Sequence, residues 1–330
     1  MQHTLNTLPP SSIAIDGCRA LPDFIIGGAP KCGTTTLHFI LDQHPEIRLP
    51  GSEIHYFDAD DPVTHPDFFS ISGERLLWKD PRPENATGLD WYQSRFRPFA
   101  GNGLIGEDST TYLFSEVAAA RIRALLPSVR MIFMLRHPVN RAYSQYWHLI
   151  ESGRTALTFE KAITRQPSII LGSTYVSGLR RFFDQFPREQ IKVVLFEELT
   201  GNTQVAVDEV TEYLGVEHLP VSQLDTWFNK TTHTSAPALQ RGANLIAQYL
   251  VSGRYRGHMT SGPTSGAGFG SRLGLRYTRL VRRLLPKTKN SPKMRSETRA
   301  FLTQHLSARN EGLSDLVGRD VSSVWTDMQI

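Results

Sequence analysis

Short apolar runs alternate with amphipathic stretches over the first two thirds of the chain. The run at residues 23–28 (Asp-Phe-Ile-Ile-Gly-Gly) predicts a buried strand. From Thr34 to His44, Leu37, Ile40 and Leu41 recur at helical spacing. Residues 103–108 form a short strand, and 115–126 an Ala- and Leu-rich helix. Residues 130–136 (Arg-Met-Ile-Phe-Met-Leu-Arg) are the strongest buried strand of the chain. Pro138 then suits the first turn of a helix running to about Gly153. A helix at 173–186, a strand at 191–196 and a helix at 203–214 follow. Strands that alternate with helices imply a parallel sheet covered on both faces.

The pattern changes beyond Pro237, where no further strand signal occurs. Leu239 to Leu250 predicts a helix, and the Gly-, Ser- and Thr-rich stretch 257–270 a loop. In 272–285, Leu273, Tyr277, Leu280, Val281 and Leu284 fall on one side of a helix. Arg272, Arg276, Arg279, Arg282 and Arg283 fall on the other. The preferred meaning is a surface helix packed on the core; the alternative is an interfacial helix on an anionic membrane.

At 330 residues with 40% apolar side chains, the chain can bury a sizeable core, which excludes a disordered or collagen-like protein. No apolar run reaches the roughly 18 residues of a membrane-spanning helix. Residues 1–21 are expected to be a flexible polar tail without a secretory signal, and 22–330 a single domain. Cys18 and Cys32 are too few for a disulfide framework, so a reducing, cytoplasmic setting is expected. The net charge of +4 is unevenly spread. Residues 230–300 carry fourteen basic side chains and one acid, a sum of +13, against −9 for the remainder. That segment is either a solvated basic surface or a face for an anionic ligand, glycan or lipid headgroup, the last of which would put the protein on the inner face of a membrane.

The stretch Gly28-Ala29-Pro30-Lys31-Cys32-Gly33-Thr34-Thr35-Thr36 lies between a strand and a helix, where backbone N–H groups make an anion site. It nearly fits the nucleoside-triphosphate loop G-x-x-x-x-G-K-[ST]. However, Thr34 replaces the lysine, and Lys31 stands inside the loop instead. A lysine there would lie beside the bridging oxygen of a diphosphate-like group. It could stabilise a leaving group without a metal, and the hydroxyls of Thr34, Thr35 and Thr36 would add donors.

This segment resembles the 5′-phosphosulfate loop of sulfotransferases that use 3′-phosphoadenosine 5′-phosphosulfate, closest to the heparan sulfate branch and its bacterial relatives. The resemblance implies a P-loop-like three-layer α/β/α fold with a central parallel sheet and a helical C-terminal part. It also implies that Lys31 is catalytic. Residues 131–146 resemble the 3′-phosphate motif of the same family, which makes Arg136, Ser144 and Arg141 phosphate ligands. Physically, Arg136 stands at the C-terminal edge of a buried strand, where open α/β sheets place ligands. Gly51-Ser52-Glu53-Ile54-His55-Tyr56-Phe57-Asp58 resembles the family's Lys-Glu-x-His-Phe-Phe-Asp stretch, which implies Glu53 as general base and His55 beside it. Alternation along an extended segment would put both on one face. Two departures weaken the case for a heavily sulfated acceptor: Ser52 and Asp108 stand where the glycan-modifying members carry lysine. Lys287 and Lys289 occupy the place of the family's cofactor-covering loop, with its Gly and Arg replaced. The similarity extends from about residue 22 to the C-terminus and is weakest at 237–285.

The expected reaction is sulfuryl transfer to a hydroxyl or amine of a carbohydrate, glycolipid or small metabolite. The alternatives are a P-loop kinase or nucleotidase using ATP and Mg²⁺, and a non-catalytic module binding anionic surfaces through 230–300. The G-x-G-x-x-G match at 101–106 precedes a strand and is therefore a turn. Cys32 lacks the arginine six positions on that a thiol phosphatase needs, since His38 stands there. With no H-E-x-x-H and no paired C-x-x-C, no metal is expected.

Overall fold

The computed structural model of the 330-residue chain describes residues 20–78, 88–223, 233–250, 277, 280–281, 283–288 and 291–330. The first strands and helices are β1 (Phe24–Gly28), α1 (Thr34–Leu41), β2 (Ile47–Arg48), the hairpin β3 (Phe69–Ser72) and β4 (Arg75–Trp78), and α2 (Gly88–Ser94). Then come β5 (Leu104–Asp108), α3 (Ala118–Leu125), β6 (Arg130–Leu135), α4 (Pro138–Glu151), α5 (Phe159–Arg165), α6 (Ser168–Leu171) and α7 (Tyr175–Phe183). The chain continues through β7 (Ile191–Leu195), α8 (Phe196–Gly201), α9 (Thr203–Leu214), β8 (His233–Thr234), α10 (Pro237–Leu250), β9 (Lys287–Thr288), α11 (Ser296–Arg309) and α12 (Leu313–Val317).

Five strands form one parallel sheet in the order β2-β5-β1-β6-β7. Helices flank it in a three-layer α/β arrangement. All five residues of β1 are buried, as are five of the six in β6. Such continuous apolar runs are what a strand covered on both faces requires. The helices instead show one apolar stripe. In α7, Tyr175, Val176, Leu179 and Phe182 are buried while Arg180 is exposed. Pro138 occupies the first turn of α4, where its missing N–H costs no hydrogen bond.

The topology fixes the site. From β1 the chain runs to one edge of the sheet, through β2 and β5. From β6 it runs to the other edge, through β7. The neighbours β1 and β6 therefore flank a topological switch point, and the loops beyond their C-terminal ends open a crevice between them.

Four expectations change. Helix 173–186 is shorter, and α5 and α6 precede it, because Pro167 and Gly172 break the helical run. Beyond Pro237, where no strand was expected, β9 pairs with β8, which lies just before that proline. In the stretch 272–285, residues 277, 280, 281, 283 and 284 are helical. Its expected apolar face is only partly packed: Leu280 and Leu284 are 54% and 72% exposed, while Tyr277 and Val281 are half-buried. Residues 1–19 of the expected tail and the loop 257–270 lie outside the described residues, whereas Ala20 is buried in the core and Leu21 packs against it, so the ordered domain begins before residue 22.

Candidate active site

A cleft of about 1720 Å³ opens at the switch point. The loop after β1 forms its floor. Gly33 has φ +89°, and a Cβ there would meet the Phe196 ring at 2.6 Å, so the turn into α1 demands glycine. The first helical bonds of α1 run from Thr36 N and Leu37 N to Gly33 O. The N–H groups just before them belong to no helical turn and face the anion position of a helix N-terminus. Lys31 also has positive φ, +70°, a strained conformation held by its surroundings.

Two arginines hold this loop from behind. Arg136 Nη1 donates to Lys31 O at 3.3 Å, and Arg141 Nε donates to Pro30 O at 3.0 Å. The loop carbonyls are thereby tied to guanidinium groups. Arg136 also lies 4.6 Å over the Phe196 ring, so the ring that requires Gly33 also seats the arginine. Its Nε is buried without a hydrogen-bond partner, while other parts of the side chain line the cleft. Ser144 lies about two turns into α4 and lines the same cleft. Burial, aided by Arg141 and Arg136, lowers the Lys31 ammonium from its usual range, while Glu151 and Glu53 oppose the shift.

Two expected donor ligands are placed differently. Arg141 is 1% exposed, and its guanidinium donates to Pro30 O, Ser168 O, Ile169 O and Gln145 Oε1. A Cβ at Gly172 would lie 2.3 Å from that guanidinium, so glycine there admits it. Arg141 is thus a brace for the loop rather than a free phosphate donor. Cys32 is fully buried, its N–H donates to Ala29 O, and its thiol faces Tyr175 Oη at 3.7 Å. Burial pushes that thiol up to about 11, which removes it as a nucleophile. Thr34 and Thr36 are buried and Thr35 exposed, but all three line the cleft. Lys287 lies on β9 opposite Thr234, itself at the rim of the cleft. Lys289 lies outside the described residues.

Across the cleft stands the Glu53–His55 pair. His55 Nε2 and Glu53 Oε2 are 2.7 Å apart, and Thr110 Oγ1 donates to Glu53 Oε1 at 2.9 Å. The two side chains meet, but not through strand alternation. The segment is irregular, and His55 has φ +52°. The other ring nitrogen, Nδ1, lies 2.9 Å from Thr111 Oγ1, which donates to Asp58 Oδ2 at 2.6 Å. His65 Nε2 completes the cluster 3.0 Å from Asp58 Oδ1. Burial opposes charge on His55, but Glu53, Asp58 and Glu107 outweigh it and push the imidazole up to about 9. The pair is therefore carboxylate with imidazolium near neutral pH. Asp58, His65, Thr110, Thr111 and Phe196 were not singled out from the sequence.

Asp108 and Ser52 each meet a basic side chain in space. Asp108 Oδ2 lies 3.1 Å from His38 Nδ1. Burial raises the Asp108 carboxyl, and the same contact raises His38 against its own burial. Beside Ser52, Arg95 Nη2 donates to Ser52 Oγ at 3.4 Å and returns a positive charge to that position.

The sulfotransferase family model matches residues 22–220, more than half of the chain. The chain belongs to the sulfotransferase family. It is 28% identical over 325 residues to the human bifunctional heparan sulfate N-deacetylase/N-sulfotransferase 2, covering 92% of this chain and 30% of that protein. It is 26% identical over 240 residues to human heparan sulfate glucosamine 3-O-sulfotransferase 3A1, covering 69% and 53%. The chain thus spans under a third of the first relative and about half of the second. A crystal structure of a sulfotransferase from Alicyclobacillus acidocaldarius superposes with a TM-score of 0.58 at 27% identity, covering 93% of this chain and 99% of that one. This chain thus combines a strand–loop–helix turn carrying its own lysine with a carboxylate–imidazole pair lining the same cleft.

Proposed function

We propose that this sulfotransferase moves the sulfuryl group of 3′-phosphoadenosine 5′-phosphosulfate onto a hydroxyl or amine of a carbohydrate acceptor. The observation that carries the reading is the meeting of the Lys31 loop, Arg136 and Glu53 at one cleft. The loop N–H groups and Lys31 suit the 5′-phosphosulfate end. Arg136, with its unpartnered buried Nε, and Ser144 suit the 3′-phosphate. The names of the heparan sulfate relatives support a sugar acceptor and leave both N- and O-sulfation open.

In this mechanism Glu53 accepts the acceptor's proton as the new bond to sulfur forms. The bond from sulfur to the donor's phosphate oxygen breaks on the opposite side, and Lys31 balances the negative charge left on that oxygen. The imidazolium of His55 orients Glu53 by holding Oε2, while Thr110 holds Oε1. Arg141 and Arg136 keep the loop N–H groups turned toward the cleft by binding its carbonyls.

The test is calorimetry with 3′,5′-diphosphoadenosine without metal, beside ATP with Mg²⁺. Tight metal-free binding of the first, weakened in Arg136→Ala, is expected. A preference for ATP with Mg²⁺ would overturn the donor assignment.

A further inference from the structure

We infer that Glu107 is a positioning residue for the general base, acting through Ser109 and Tyr112 on the backbone that carries Glu53 and His55. This rests on the reading of Glu53 as the base. Glu107 is fully buried at the C-terminal end of β5, beside Ile25 of β1. It lines no part of the cleft, so it does not touch the reacting groups.

Three hydroxyls converge on it. Ser109 Oγ and Tyr112 Oη donate to Oε1 at 2.8 and 2.5 Å, and Tyr92 Oη donates to Oε2 at 2.5 Å. An ionised carboxylate only accepts, so each hydroxyl must turn its single proton toward Glu107. That leaves the hydroxyl lone pairs for backbone N–H groups. Ser109 Oγ accepts from Ile54 N at 3.2 Å and His55 N at 2.9 Å, and Tyr112 Oη accepts from Phe57 N at 3.4 Å. One carboxylate thus sets the polarity of two hydroxyls that hold three N–H groups of the base segment. Burial raises the Glu107 carboxyl, and the three hydroxyl donors oppose that shift.

The rings give the same segment lateral support. Tyr56 stacks on Tyr92 at 4.3 Å, and Phe57 packs edge-on to Tyr92 and Tyr112. The held residue is His55, whose φ of +52° lies in the left-handed region that few residues other than glycine occupy. Relaxation at 54–57 would move Glu53 and His55 together, away from the Lys31 loop. Misplacement of about 1 Å costs on the order of 10²-fold in rate.

The experiment measures turnover per active site in Glu107→Leu, Glu107→Gln, Ser109→Ala, Tyr112→Phe and Glu53→Gln. Sites are counted by the stoichiometry of 3′,5′-diphosphoadenosine binding. Glutamine keeps the shape and, with its amide nitrogen turned to Tyr92, still accepts from Ser109 and Tyr112 through its oxygen, whereas leucine releases both hydroxyls. The expected result is a fall of kcat per site by about tenfold or more in Glu107→Leu and Ser109→Ala, with a smaller loss in Glu107→Gln. The donor-product Kd should hold within about twofold, because the donor loop is untouched. A residue that only stabilised the fold would lower the number of binding sites and leave kcat per site unchanged. Tyr112→Phe keeps its ring packing and reports on Phe57 N even if another variant fails to fold. Unchanged kcat per site in every folded variant, with Glu53→Gln inactive, would overturn the inference. A fully active Glu53→Gln would instead overturn the assignment of the base.

Discussion

The donor side of the cleft is assembled from cations that grip backbone carbonyls, whereas the base side is assembled from carboxylates that grip hydroxyls and imidazoles. On the donor side, Arg136 and Arg141 are bound to Lys31 O and Pro30 O, and the groups proposed for the 5′-phosphosulfate end belong to one contiguous loop. On the base side, Glu53 is held by His55 and Thr110, His55 by Thr111, and Ser109 by Glu107. Those partners come from two segments some fifty residues apart. The difference is one of charge. An anionic donor needs N–H groups and ammonium, which one strand–loop–helix unit can supply. A base needs a carboxylate kept ionised but poorly solvated, which requires partners from other elements.

The contrast can be broken at its strongest points. Lys31→Ala should lower turnover by about 10³-fold, the cost of losing a charge-stabilising group in the transition state. Single-turnover sulfuryl transfer measures this, and a folded, fully active variant would remove Lys31 from the mechanism. Glu53→Gln should lower kcat by about 10²-fold while donor affinity stays unchanged. Calorimetry and initial rates on the same preparation separate the two. Arg136→Ala should weaken 3′,5′-diphosphoadenosine by roughly 10- to 100-fold, the worth of a charged hydrogen bond. Undiminished affinity would move the 3′-phosphate elsewhere.

A subtler test concerns pH. The folded-state pKa of His55, about 9, lies above the ordinary 6.5. Its contribution to stability is therefore fully present below pH 6.5 and is lost as pH rises through about 9. The shift corresponds to about 3 kcal/mol at most. Denaturant midpoints of the wild type should fall across that window relative to His55→Gln, and parallel curves would contradict the imidazolium assignment. The smallest effect belongs to Cys32→Ser. A thiol buried against Tyr175 and far from ionisation has no chemical step, so turnover should be nearly unchanged.

Much of the fold was legible because buried parallel strands are continuous apolar runs. Residues 24–28, 130–135 and 191–195 stand out for that reason. Strand β2 and the hairpin β3–β4 did not, because two-residue pairing and an exposed strand leave no burial period to detect. In the site, the loop 28–36 and Arg136 were legible as local patterns. The role of Arg141 was not, since only the tertiary structure shows its donors bonded to carbonyls from three segments.

The sequence by itself determined the parallel α/β class and the strand–loop–helix turn with its displaced lysine. These follow from residue type and short spacing, which act within one turn or one strand. Tertiary structure alone decided which side chains face the cleft and which brace it. It turned Cys32 inward, tied Arg141 to the loop, paired Asp108 with His38 and placed Arg95 beside Ser52. It also gathered Asp58, His65, Thr111 and Glu107 behind the base. The physical reason is that buried charge must find partners wherever packing brings them, and packing joins residues that no local pattern relates.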